Sequence, residues 1–179
     1  RSGSFKTFMT TSDGSEQITG FHLPGELVGL DGFSQGAFAC DAVALESSTV
    51  CELPLEQFDT LCSDIHGLRR QILQLMGKEI NQEHMLLMAL GQMKGEERLA
   101  TFLLSLSERF PSRGFSPSEF NLSMPRHDLA NYLGLAVETL SRMFSKLDEE
   151  GILKVNRRNV RILEMSSLRQ LAHQECRQS

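Results

Sequence analysis

Two periodicities divide the chain. Through the first sixty residues the apolar positions fall in short continuous or alternating runs, Phe5–Met9, Gln17–Leu23, Phe38–Leu45 and Thr49–Leu53. The turn formers Ser12-Asp13-Gly14, Pro24-Gly25 and Gly29–Gly36 punctuate them. Runs of that length between such breaks predict strands, here a small antiparallel barrel or sandwich. Beyond Pro54 the pattern turns helical. From Ser63 or Asp64 as a cap to about Leu90 there is no proline, which predicts a helix of roughly 40 Å. Along it Ile72, Met76, Ile80, Leu87 and Leu90 form one stripe with steps of four, four, seven and three. That spacing resembles a coiled-coil seam. The alternative is an amphipathic helix packed on its own domain, although one small barrel could hardly cover so long a stripe. Glu83 stands inside the seven-residue gap. In a symmetric parallel dimer, equivalent seam positions face each other, so two Glu83 carboxylates would meet and oppose pairing.

A second helix is signalled by Leu99, Phe102, Leu103, Leu106 and Phe110, and it ends at Pro111. After the loop Pro111–Pro117 and a short strand, Phe120–Met124, two helices are predicted over Arg126–Leu133 and Val137–Glu150. Ala130 sits where they would cross and Gly134 in the turn between them. Leu140 is the packing residue of the second helix, and Gly151 follows it as a stop signal. This is the spacing of a helix-turn-helix: a side chain larger than Ala at the crossing would push the helices apart, and Gly permits the tight turn. Ile152–Val155 and Asn159–Leu163 alternate as a hairpin around Arg157 and Arg158, completing a winged helix. A last helix is expected over Ser167–Cys176.

Three domains are thereby expected: a partial β-roll over 1–62, a dimerisation helix over 63–93 and a winged helix-turn-helix over 94–179. With 40% hydrophobic and 23% charged residues the composition is that of a globular chain. No apolar run reaches membrane-spanning length and no signal peptide opens the chain, so the reading is cytoplasmic with no membrane partner. The chain begins on strand-like residues without Met, and an upstream segment of the natural protein is expected.

Charge refines the picture. Residues 1–94 hold six Lys/Arg against twelve Asp/Glu, whereas 95–179 hold twelve against eleven. Between Arg142 and Arg161 six bases face three acids, so a phosphate-binding surface belongs to the C-terminal part. The open start of the second helix of the pair offers Val137, Glu138, Ser141 and Arg142. Glu accepts from the amino group of cytosine, Arg donates to guanine, and small side chains meet a thymine methyl. The alternative is that Glu138 and Arg142 form an i,i+4 surface pair. Arg157 and Arg158 are expected to hold phosphates.

Enzymatic chemistry finds little support. A cupin-like metalloenzyme needs clustered histidines, whereas His22, His66, His84, His127 and His173 lie at least eighteen residues apart. The cysteines Cys40, Cys51, Cys62 and Cys176 contain no C-x-x-C pair, which excludes a zinc ribbon or a thioredoxin motif.

Several segments resemble the Crp/Fnr transcription regulators, in particular their oxygen-responsive Fnr branch. They are Glu16-Gln-Ile-Thr-Gly-Phe-His22, Glu96-Glu-Arg-Leu-Ala100, Arg113-Gly-Phe-Ser-Pro117 and, most specifically, Asn131-Tyr-Leu-Gly-Leu-Ala-Val-Glu-Thr-Leu-Ser-Arg142. The resemblance implies an α+β chain: an antiparallel cyclic-nucleotide-binding-like β-roll, a long dimerisation helix and a C-terminal winged helix. It also implies that Glu138, Ser141 and Arg142 read palindromic TTGAT-like half-sites of double-stranded DNA. Cyclic-AMP-responsive relatives carry Arg in place of Val137 and Gly in place of Ser141. Cyclic nucleotide is further disfavoured because no Lys or Arg occurs between Lys6 and Arg69, leaving its phosphate without a cation.

By the same resemblance Cys51 corresponds to the internal ligand of an oxygen-labile [4Fe–4S] cluster. The other three thiolates would come from the upstream segment, so this chain alone is not expected to hold the cluster. Cys40, Cys62 and Cys176 match no ligand and read as structural. Arg113 and Ser116, with the turn at Gly14, match surfaces that touch RNA polymerase. The acid at Glu83 matches one that opposes homodimer formation until the cluster binds. A regulator of the same fold sensing nitric oxide, haem or a small ligand is the alternative.

Overall fold

The computed structural model describes residues 1–172, so His173, Cys176 and the end of the expected last helix lie outside the described residues. The chain divides into two compact units, Arg1–Leu87 and Met88–Ser179. The division falls inside the long helix and at neither of its ends.

In the first unit β1 (Phe5–Thr10) pairs antiparallel with β2 (Glu16–His22) and with β3 (Asp41–Ala44), giving the order β2-β1-β3. Phe5 lies opposite His22 on one side and Ala44 on the other. An irregularity between Thr7 and Phe8 shifts the β1–β2 register, and the inward positions Phe8, Ile18 and Phe21 are buried together with Leu23. The turn joining β1 to β2 carries Gly14 at a φ of 85°. A short helix, α1 (Gly32–Gln35), separates β2 from β3.

The strand expected over Phe38–Leu45 is thus shorter, and Phe38 itself is 66% exposed. The strand expected over Thr49–Leu53 is absent. Thr49 and Ser2 exchange two backbone hydrogen bonds of 3.0 and 3.1 Å as an isolated bridge, and no ladder continues from it. Val50 and Leu53 stay exposed, so no sheet face rewards their alternation, and Pro54 supplies no N–H for a further rung.

The long helix is also interrupted at its start. α2 (Phe58–Asp64) stops at Ile65, whose backbone is extended, and Gly67 follows at a φ of 87°. α3 then runs over Leu68–Gln92, 25 residues or about 37 Å. Of its expected stripe, Ile72 is only 5% exposed and belongs to the core of its own chain. Its neighbour Leu73 is 62% exposed and stands seven residues before Ile80 (49%) and fourteen before Leu87 (67%). The outward row is therefore Leu73, Ile80 and Leu87, with Met76 half-buried and Glu83 exposed.

In the second unit α4 (Gly95–Arg109) turns Leu99, Leu103 and Leu106 inward at helical spacing. α5 (Arg126–Tyr132) and α6 (Val137–Glu149) add Leu129, Leu140 and Leu147, and α7 (Met165–Leu171) adds Leu168. β4 (Glu119–Asn121), β5 (Leu153–Asn156) and β6 (Asn159–Ile162) form an antiparallel sheet in the order β4-β6-β5 and contribute Leu153 and Val160. All nine of these side chains are fully buried, each leucine contributing about 1.5–3 kcal/mol relative to exposure. They fix α5 and α6 against α4 and the sheet. No helix among the described residues is long and apolar enough to cross a membrane.

Candidate nucleic-acid interface

The α5–α6 corner is built on a glycine. Gly134 has a φ of 61°, its N–H donates to the Asn131 carbonyl at 3.0 Å, and the Leu135 N–H reaches the Ala130 carbonyl at 2.9 Å. These two bonds close α5 as a Schellman motif, which favours Gly at the left-handed position. α6 ends in the same way around Gly151, with 3.1 Å from Gly151 to Asp148 and 3.0 Å from Ile152 to Leu147. Ala130 is wholly buried at the crossing.

Arg98 of α4 holds the corner from behind. Its Nε donates to the Met93 carbonyl at 3.0 Å and its Nη1 to the Leu133 carbonyl at 2.8 Å. A Cβ on Gly134 would stand 3.2 Å from that same Nη1 and 3.1 Å from Leu90, a tight fit that those two side-chain ends would have to yield to, so the glycine is favoured chiefly by its backbone angle. A second tie joins α4 to α6, where Lys146 meets Glu96 at 2.7 Å. That hydrogen bond raises the Lys146 pKa above the ordinary lysine value.

On the opposite, open side of α6 the expected readers Val137, Glu138, Ser141 and Arg142 are all exposed. Arg142 does not pair with Glu138. Its Nη2 lies 3.4 Å from the Thr139 hydroxyl, and Glu138 has no ion-pair partner among the described residues. The i,i+4 pair is therefore not formed, and both side chains stand exposed.

The wing is pinned while its side chains project. The Arg158 carbonyl accepts from the Leu122 N–H at 2.8 Å and the Arg157 carbonyl from Arg126 Nη2 at 3.3 Å. Both arginine side chains are exposed. Arg157, at a φ of 54°, is the one non-glycine residue with positive φ among those described.

The roles of Arg98 and Arg126 carry no signal in the hydrophobic pattern of the chain, because each also acts on a backbone carbonyl more than thirty positions away, Leu133 for Arg98 and Arg157 for Arg126. Arg126 opens α5, and its guanidinium lies 3.6 Å from the centre of the Phe144 ring of α6. Burial pushes its pKa down from the usual guanidinium value.

Residues 97–171 match the Crp-like helix-turn-helix domain, and residues 1–64 match the cyclic nucleotide-binding domain. Over 172 residues the chain is 46% identical to the transcriptional activator protein anr of Pseudomonas aeruginosa, spanning 96% of this chain and 70% of that protein. It belongs to the Crp/Fnr family of transcription regulators. The fumarate and nitrate reduction regulatory protein of Escherichia coli is likewise 46% identical over 172 residues, which are 96% of this chain and 69% of that one. The structure of FixK2 from Bradyrhizobium japonicum superposes with a TM-score of 0.74 at 25% identity, over 95% of this chain and 83% of that one.

As a Crp/Fnr regulator the chain is a DNA-binding protein and not an enzyme. The α+β architecture expected from its sequence is the family's own.

The family's cyclic nucleotide does not suit the residues of the first unit. A cleft of about 280 Å³ there is lined by Thr7, His22, Asp31, Glu79 and Glu83 among others, with no Lys or Arg. The carboxylates would repel a phosphate. Asp31 is moreover already engaged, accepting the Ala39 and Cys40 N–H groups at 2.7 and 3.1 Å.

The described residues likewise bring no three potential ligands together for a metal. Of the three described cysteines, Cys40 and Cys62 are half-buried and Cys51 is exposed. Gly14 and Ser116 lie on exposed turns. Arg113, half-buried, turns back to donate to the Arg109 carbonyl, and Ser116 Oγ accepts from the N–H groups of Ser118 and Glu119 at 3.2 and 3.1 Å.

Proposed function

We propose that this chain is the greater part of a dimeric Fnr-type regulator that reads TTGAT-like half-sites and couples transcription to oxygen. The observation that carries the reading is the open face of α6, where Glu138 and Arg142 stand exposed and not paired with each other. An acid and a guanidinium so placed match the donors and acceptors of base edges, while Arg157 and Arg158 on the wing contact phosphates. The exposed row Leu73, Ile80 and Leu87 pairs α3 with the same helix of a second copy, and Glu83 opposes that pairing. Cys51 donates one thiolate to a [4Fe–4S] cluster whose other ligands lie upstream of this chain. The turns at Gly14 and at Arg113–Ser116 face RNA polymerase, and the protein acts in the cytoplasm. The names of its relatives, an activator and a regulator of fumarate and nitrate reduction, support this assignment.

The test is a pair of duplexes, one with inverted TTGAT half-sites and one scrambled. Arg142→Ala should weaken binding to the first by about 1–3 kcal/mol and leave the second nearly unchanged. Equal losses on both would remove Arg142 as a reader.

A further inference from the structure

Arg126 is half-buried, with one guanidinium nitrogen enclosed and the other open. Its guanidinium is stacked on the buried Phe144 ring at 3.6 Å, and its Nη1 is shut off from water with no hydrogen-bond partner. Holding a cation there carries a desolvation cost, which the lowered pKa also reflects. The compensation comes from the aromatic face and from the 3.3 Å bond that Nη2 donates to the Arg157 carbonyl. That carbonyl belongs to the residue whose backbone is left-handed at a φ of 54° without being glycine. For an L-residue this conformation is disfavoured and persists only where its surroundings hold it. One side chain thus touches three elements: it opens α5, covers α6 and grips the tip of the wing.

We infer that Arg126 is a positioning residue that sets the wing tip against the reading helix, so that Arg157 and Arg158 meet the phosphates flanking the bases read by α6. This rests on the DNA-reading assignment above. Arg126 itself touches no base in this account. Lysine in its place keeps the charge but lacks the planar guanidinium face that lies on Phe144 while Nη2 reaches the Arg157 carbonyl, so it should not substitute.

The test uses the full chain and fluorescently labelled duplexes over a salt series. Arg126→Lys should weaken binding to cognate and scrambled duplexes by the same factor, about tenfold, and make the salt dependence shallower by about 0.9 for each phosphate no longer neutralised. In a background where Arg157 and Arg158 are already Ala, Arg126→Lys should change affinity less than about twofold, because the wing cations it positions are absent. Phe144→Leu, which removes the ring and keeps an apolar core residue, should reproduce the wing-dependent loss if Arg126→Lys fails to fold. An equal loss in both backgrounds, or no loss in the parent, would overturn the inference. Should the parent bind both duplexes equally well, the half-site reading falls. The Arg126 comparison is still decided, since phosphate contacts operate on either duplex.

Discussion

Arg98 offers the sharpest energetic test of how the reading helix is held. Replacing it with Met keeps the aliphatic stem and removes the guanidinium. Two charge-assisted bonds to backbone carbonyls disappear, at 3.0 Å to Met93 and 2.8 Å to Leu133, with a third, longer and weaker, at 3.4 Å to Gly134. Bonds of this type contribute about 1.5–3 kcal/mol each when well buried. Arg98 is half-buried, and water can partly replace it at the freed carbonyls, so a total of about 2–3 kcal/mol is expected. In a unit of this size that corresponds to a fall in Tm of about 8–24 °C, read by scanning calorimetry of the intact chain. Arg98→Lys should recover less than half, because one ammonium cannot serve Met93 and Leu133 together. A Met variant melting within about 3 °C of the parent would refute the reasoning, since the α5–α6 corner would then be held by packing alone.

Three further outcomes follow from the exposed groups. Arg157→Ala with Arg158→Ala should lower affinity for every duplex and flatten its salt dependence by about 0.9 per phosphate contact, leaving base preference intact. Glu83→Ala should tighten self-association of cluster-free protein by about tenfold or more in sedimentation, and an unchanged dissociation constant would remove the proposed brake. Cys51→Ser, in protein that carries the proposed upstream ligands and is prepared without oxygen, should abolish iron–sulfur absorption with the far-UV circular dichroism unchanged. Full retention of iron and sulfide would sink the ligand assignment.

What the chain reveals before folding depends on how local the cause is. The α5–α6 corner was legible because Ala130, Gly134 and Leu140 act within one turn of their neighbours, so spacing alone fixes their roles. The wing was legible for the same reason. The expected strand at Thr49–Leu53 failed because alternation is necessary for a half-buried strand but not sufficient: the strand must also find a face to cover, and Val50 finds none. On α3, stepping by four from Met76 selected Ile72, whereas counting seven back from Ile80 selects Leu73. The two differ by one position, yet one is 5% and the other 62% exposed. The roles of Arg98 and Arg126 are not legible because their partners are backbone carbonyls or a ring, most of them distant in sequence, which leave no compositional trace.

The distribution of ion pairs explains how a chain of net charge −5 can present a surface to a polyanion. In the second unit, carboxylates engage cations other than the proposed contacts. Glu96 takes Lys146 at 2.7 Å, Asp148 takes Lys154 at 3.2 Å and Glu119 takes Arg161 at 3.5 Å. The ion pairs of the described residues include none with Arg142, Arg157 or Arg158. Net charge therefore misjudges the interface, because pairing neutralises some cations and leaves the projecting arginines uncompensated. Counterion release depends on these local charges and only weakly on the sum over the chain. The Asp148–Lys154 pair makes the distinction measurable: Lys154→Gln removes one positive charge from the chain, as Arg157→Gln does, yet only Arg157→Gln should flatten the salt dependence of DNA binding. Equal flattening by both would mean that overall charge, and not the wing geometry, governs the interface.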